Sequence, residues 1–198
     1  MTKARGRMTE LRQFMAERAI KTGDRTGYLE LHFHEAVDPL TANSYKAFRR
    51  LCSQKEWESY ESRLLKRLPH AATVEQIKIQ LLRGEQDEAA QILSRERFDR
   101  YMSYELLGAA RRLEPSHPEQ VLTFYRSGIG SLNRPMPRKE YAGIARVLEM
   151  IRRIMLEFLK DAERWRNFKH DIQRKTERWP AFQEEVAKCI RDWREGKD

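Results

Sequence analysis

Leu113-Glu114-Pro115-Ser116-His117-Pro118-Glu119-Gln120-Val121-Leu122 is the stretch whose reading decides the fold. A short helical pattern, residues 101–113, ends at Leu113. After the break, Val121, Leu122, Tyr125 and Ile129 recur at helical spacing. Ser116 is a good N-cap residue and Pro118 suits a first helical turn, so the break reads as one helix stopping and another starting. Pro135-Met136-Pro137 then precedes the longest amphipathic run, roughly Lys139 to Lys160, and a helix holding Trp165, Phe168 and Ile172 follows. Such helix–turn–helix units carry apolar stripes that cannot be buried alone and must stack on neighbours.

Working back toward the N-terminus, the same grammar repeats. Leu11, Phe14, Met15 and Ala19 predict a helix over 9–20. Thr22-Gly23-Asp24 stops it and caps the next, which carries Tyr28, Leu29, Leu31, Phe33 and Val37 up to Asp38-Pro39. Tyr45, Phe48, Leu51 and Cys52 mark a third helix. Trp57, Tyr60, Leu64, Leu65 and Leu68 mark a fourth, ended by Pro69. Val74, Ile77, Leu81 and Leu82 precede Gly84, a natural helix stop, and Ala89, Ile92 and Leu93 sit on a short helix after it. At the far end, Trp179-Pro180 introduces a last helix with Phe182, Val186, Cys189, Ile190 and Trp193. Alternation of period two never persists, and no Asn-Gly or Asp-Gly hairpin turn occurs.

The expected fold is therefore all-α, about ten or eleven helices joined by short loops. A helix pair recurs about every 30 to 40 residues, the period of tetratricopeptide-like arrays, which predicts antiparallel pairs stacked as an alpha-solenoid. The small residues of the strict tetratricopeptide pattern are mostly missing. The expected organisation is a flexible basic N-terminus over 1–8 and a single helical-repeat domain over 9–198.

Composition bounds the function. Of 198 residues, 40% are hydrophobic and 35% charged, a thin core under a charged skin, as in an array whose every helix keeps one face in water. The net charge of +9 permits binding to nucleic acid, an acidic protein or an anionic surface, yet 30 acidic residues interleave with 39 basic ones. Cys52 and Cys189 share no motif spacing and read as buried free thiols of a reducing compartment. No apolar run approaches the roughly 18 residues that span a membrane, so the expectation is a cytoplasmic chain with no membrane partner.

Three motifs together resemble a known family. They are Ala19-Ile20-Lys21-Thr22-Gly23-Asp24 with Tyr28-Leu29, Tyr45, Trp57 and Leu64-Leu65; Leu81-Leu82-Arg83-Gly84-Glu85-Gln86-Asp87-Glu88-Ala89; and His117-Pro118-Glu119-Gln120-Val121-Leu122-Thr123-Phe124-Tyr125 followed by Tyr141, Ala145, Leu148, Trp165, Phe168 and Ile172. Their order is similar to the helical C-terminal region of bacterial SWIM zinc-finger proteins. The resemblance implies a helical-repeat interaction region, in a family whose zinc module is assigned to DNA or protein binding, and does not imply an enzyme. That module uses a Cys-x-Cys pair with a distant Cys-x-His, because tetrahedral zinc takes four N or S ligands. With two cysteines, neither in such a pair, this sequence has no position for that zinc site.

The candidate chemistry is sparse. His32 and His34 lie two apart, so on a helix they point to opposite sides and do not share an ion. His117 before Pro118 reads as a turn that sets the angle between two helices. A helix N-terminus with Arg111 and Arg112 close in sequence is also an anion-site pattern. Tyr125, Tyr141, Trp57, Trp165 and Trp179 sit at helical spacing and read as core. Trp179 and Trp193, near the end, are open to two further readings, as a cover over the last helix pair or as a partner site. No Gly-rich phosphate loop, Gly-x-Ser-x-Gly or His-Glu-x-x-His occurs, so the expectation is no enzyme and no cofactor. The best functional signal is basic. Lys139, Arg146, Arg153 and Lys160 recur every seven residues and predict a stripe, with Arg164 beyond it, that would hold phosphate. The expected function is a scaffold that binds a protein partner, with nucleic acid held on the 138–178 helices as the alternative.

Overall fold

The stop and start signals between helices act through specific hydrogen bonds. Gly23 and Gly84 take φ of +71° and +83°, the left-handed backbone that ends a helix and that a Cβ disfavours. Asp24 Oδ1 accepts the Gly27 N–H at 2.8 Å, and Ser53 and Glu56 form a reciprocal capping box, as do Thr41 and Ser44. These contacts come from a computed structural model, which describes residues 2–99 and 104–194 and the side chains of 11–12, 14–99 and 104–194.

Among the described residues there are eleven α-helices and no strand, only a lone bridge between Val37 and Leu40 beside the cis Asp38-Pro39 peptide. The chain divides into two compact units, Met1–Gly84 and Glu85–Asp198, the junction falling inside the span 9–198 that the sequence presents as one domain.

The N-terminal unit holds α1 (Thr2–Thr22), α2 (Arg25–Ala36), α3 (Ala42–Leu51), α4 (Gln54–Arg67) and α5 (Thr73–Arg83). α1 thus runs through residues 2–8 of the segment expected as a flexible N-terminus. Its core is aromatic. Phe33, Phe48 and Tyr60 meet with ring centroids 5.3 to 6.0 Å apart, and Tyr45 stands edge-on to Trp57 at 5.0 Å. Leu29, Leu64 and Leu68 fill around them. Buried polar tips find partners: Tyr45 donates to Glu61 at 2.5 Å and Tyr60 to Glu30 at 3.0 Å. Burial, reinforced by Glu30, pushes the Tyr60 hydroxyl up to about 12. On α5 the buried residues are Ile77 and Ile79, whereas Leu82, expected on the apolar side, stays exposed.

The C-terminal unit holds α6 (Gln86–Arg95), α7 (Tyr104–Leu113), α8 (Pro118–Ser127), α9 (Arg138–Arg153), α10 (Ala162–Lys175) and α11 (Pro180–Cys189). The expected start of the seventh helix at Tyr101 lies outside the described residues. α6 packs on α7 and α8, and α9 packs on α8 and α11. Tyr141 of α9 stands edge-on to Phe182 of α11 at 5.4 Å, and Ile144, Leu148, Ile151 and Val186 are buried on these two packed helices. Trp193, which the sequence left open between core, a cover over the last pair and a partner site, is fully buried, and its indole N–H donates to Gln183 Oε1 at 2.7 Å. Trp57, Tyr125, Tyr141 and Trp165 are buried as expected, and Trp179 is half-buried, stacked on Tyr141 at 6.2 Å.

Two expectations need correction. Cys189 lies on the exposed side of α11, because the helix turns Phe182, Glu185 and Val186 inward instead, while Cys52 is buried as expected. Ser116 is not the N-cap of α8. That position is His117, and the Ser116 hydroxyl donates to Gln86 Oε1 at 2.8 Å.

Candidate interaction surface on the first helix

The basic residues singled out in the sequence are dispersed by their neighbours. Lys139, Arg146 and Arg153 share the face of α9 opposite its buried side. The stripe stops there. From Ile154 to Phe158 the backbone makes a π-helical turn, with the Leu159 N–H reaching Ile154 O at 3.0 Å, so Lys160 falls out of register and takes φ of +55°. Arg153 turns to Glu114, its Nη2 lying 2.5 and 2.6 Å from the two carboxylate oxygens. Arg164 grips Glu119 through both terminal nitrogens at 2.6 and 3.0 Å. Arg138 pairs with Glu184 at 2.5 Å, and Arg152 with Glu149 at 3.4 Å. Lys139, Arg146 and Lys160 are exposed. The carboxylates that interleave with the basic residues in sequence therefore also meet several of them in space, which lowers the field available to phosphate.

Glu114, beside Arg153, and Glu185, 3.5 Å from Arg138, are withdrawn almost wholly from water, Glu114 the more so at 4% exposed. Glu114 also accepts the Tyr125 hydroxyl at 2.7 Å, and burial together with Glu114 raises the Tyr125 hydroxyl far above its ordinary value. The cluster ties the end of α7 to α8 and α9.

Asp87, His117 and Ser116 form a carboxylate–imidazole–hydroxyl chain at 2.6 and 2.8 Å. The order resembles a nucleophile relay. Two features set it apart from one. The Ser116 hydroxyl is turned onto Gln86, and the helix that follows opens with Pro118, which has no N–H to offer an oxyanion. The chain fastens the start of α6 to the α7–α8 turn, in line with the expectation that this turn sets a helix angle. His32 pairs with Glu35 at 3.2 Å and lies edge-on to Tyr28, while His34 is exposed. Among the described residues, no group of three His, Cys, Asp or Glu side chains is placed to hold a metal ion.

What remains is on α1. Ala16 and Ala19 are the side chains it buries among those described, and they seat the helix against α2. Its larger apolar residues stay in water: Leu11 is 53%, Phe14 64%, Met15 47% and Ile20 63% exposed. Elsewhere among the described residues, large apolar side chains with such exposure are Leu82 and Tyr104. Leu11, Phe14 and Met15, with Arg18 one turn on, span roughly 100° of arc. Beside them a groove of about 460 Å³ runs between α1 and α2, walled by Phe14, Met15, Arg18 and Leu31 and floored by Ala19 and Gly27. A second groove of about 370 Å³ lies between α2 and α3, where Ala36, Ala47, Phe48 and Leu51 are rimmed by His32 and Glu35.

The sequence contained the signal for this surface but not its sign. Leu11, Phe14, Met15 and Ala19 share helical spacing in the sequence, and among the described residues of α1 the small Ala16 and Ala19 are the ones that turn inward. Set beside known proteins, the chain matches no family model, no curated sequence and no solved structure. Among the described residues no helix is long and apolar enough to cross a membrane.

Proposed function

We propose that this chain is a non-catalytic interaction scaffold that binds a protein partner through its N-terminal unit. The observation that carries the reading is the exposure of Leu11, Phe14 and Met15 on one face of α1, beside an open groove, while the aromatic core of the same unit is closed. Contiguous large apolar side chains in water mark interaction sites. Aromatic and long aliphatic anchors of this kind carry most of the energy of a protein interface. The finer arrangement we propose within each unit is antiparallel helix pairs stacked in the tetratricopeptide-like manner, supported by helices of 10 to 16 residues, α1 excepted, joined by short turns. The resemblance of the three sequence motifs to the helical region of SWIM zinc-finger proteins supports the same role, with any zinc module outside these residues.

A photo-crosslinking residue at position 14, with a control at exposed Lys66, tests the reading. The expected result is a defined protein adduct at 14 and none at 66. Its identified partner, purified, should then bind the chain and lose binding to Phe14→Asp. Equal adducts at both positions, or none at 14, would overturn the proposal.

Nucleic acid remains the second reading, favoured by the exposure of Lys139, Arg146 and Lys160. Anisotropy with a mixed duplex and a single strand at two salt concentrations separates the two. Phosphate binding weakens steeply with salt, and charge reversal at Arg146 and Lys160 would abolish it. The scaffold reading expects no such binding.

A further inference from the structure

Resting on the interaction reading above, we infer that the occupant of the α1–α2 groove is an amphipathic helix with acidic flanks. The geometry of the receiving surface argues for a helix. Leu11, Phe14, Met15 and Arg18 lie at i, i+3, i+4 and i+7, the spacing at which one helix offers a row of side chains to another. Both walls of the groove are helices, so there is no open sheet edge here for an extended peptide to pair with.

The charges around the groove decide the flanks. Two carboxylates line it: Glu30 is paired with Arg63 at 2.5 and 2.9 Å and accepts from Tyr60 at 3.0 Å, whereas Asp24 accepts the Gly27 N–H at 2.8 Å and keeps its charge as the cap of α2. Arg63 is the chief reason the Glu30 carboxyl is held below its ordinary value. Arg18, on the same groove wall, is exposed and makes no ion pair among the described residues. Over residues 11–22, α1 carries Arg12, Arg18 and Lys21 against the single acid Glu17. The α1 wall is thus net positive while, among the described residues, the groove's one unpaired carboxylate, Asp24, sits at the start of α2, and an occupant that keeps its apolar row on Phe14 and Met15 would meet Arg18 with an acidic flank. A second copy of this chain would bring the same basic residues against themselves, a like-charge contact that disfavours it.

Anisotropy with labelled synthetic helices and the full chain tests this. One peptide carries leucines at i, i+3/i+4 and i+7 flanked by glutamates, a second keeps the leucines with lysine flanks, and a third keeps the glutamates with serine for leucine. The acidic amphipathic peptide should bind and the other two should not. Arg18→Glu should weaken it by about tenfold or more, a loss near 1.4 kcal/mol. Phe14→Asp should abolish binding, and Arg67→Glu on the exposed side of α4 should leave it unchanged. Circular dichroism checks that each variant stays folded. Equal binding of the lysine-flanked peptide would overturn the inference, as would no peptide binding. If position 14 still crosslinks to a partner, that result would leave the scaffold reading standing with a different occupant. Two other results would also overturn it: sedimentation as a dimer that Phe14→Asp dissociates, and binding to anionic vesicles in place of peptide.

Discussion

Glu114 sits at the end of α7 with Arg153 and Tyr125 closing over it, and its side chain has little water to fall back on. Removing one partner leaves a buried carboxylate under-satisfied, which costs more than the pair contributes net. Arg153→Leu should therefore lower the stability of the C-terminal unit by about 2–3 kcal/mol, and Tyr125→Phe by about 1.5 kcal/mol, both read from urea unfolding. Glu56 illustrates a wetter environment, half-buried yet strongly bound. The Arg25 guanidinium, then the Ser53 backbone and hydroxyl, hold its carboxyl down at about 2. A depressed acid contributes stability above its unfolded value near 4.5, and that contribution fades as pH falls toward 2. Carboxyl-detected NMR should show Glu56 titrating near 2, and Glu56→Gln should flatten the loss of stability between pH 4.5 and 2. At this scale the sequence was partly legible. Asp24 as a cap could be read off directly because capping is local. Glu114 with Arg153 could not, since the partners are 39 residues apart and nothing in the spacing announces a buried charge.

Among elements, α1 and α4 look alike on paper and differ in fate. Each presents aromatic or long aliphatic residues at helical spacing, but Trp57 and Tyr60 are inside and Phe14 is in water. Trp57→Ala should cost about 3–5 kcal/mol, the range for a large core side chain. Phe14→Asp should leave unfolding within about 0.5 kcal/mol of the parent, since nothing packed is lost. A large destabilisation at Phe14 would place that residue in the core after all. Periodicity finds the amphipathic face, but whether a neighbour covers it is decided by the rest of the fold. The α9 stripe failed for a related reason. Seven-residue spacing presumes an unbroken 3.6-residue helix, and the π-helical turn after Arg153 widens the coil just where the stripe had to continue. No proline or glycine lies between Ile154 and Lys160 to warn of it.

The all-helical character of the chain was readable throughout, because glycines and prolines fall between periodic segments and no two-residue alternation survives. The division at Gly84 was not. Leu82-Arg83-Gly84-Glu85 carries the same helix-stop chemistry as Thr22-Gly23-Asp24, and a left-handed glycine marks the end of a helix whether or not a unit ends with it. Each unit has its own buried residues, around Phe33, Phe48 and Tyr60 in one and around Phe124, Tyr125, Ile151 and Phe182 in the other. Expressed separately, 1–84 and 85–198 should each give a helical spectrum and a cooperative thermal transition. A fragment without a transition would mean that its core is completed from outside.

The shallow seat of α1 has a kinetic consequence. Over residues 14–22, α1 is seated by Ala16 and Ala19 with Phe14, Met15 and Ile20 turned to water, so little apolar burial opposes opening of this part and its opening free energy should lie below that of the core around Phe48 and Leu64. Its backbone amides should exchange with deuterium long before those around Phe48 and Leu64. An occupant lying across Phe14 and Met15 would have to bear part of the cost of holding α1 closed, and would slow that exchange as it does so. The binding surface would then report its own occupancy through the lifetime of its hydrogen bonds.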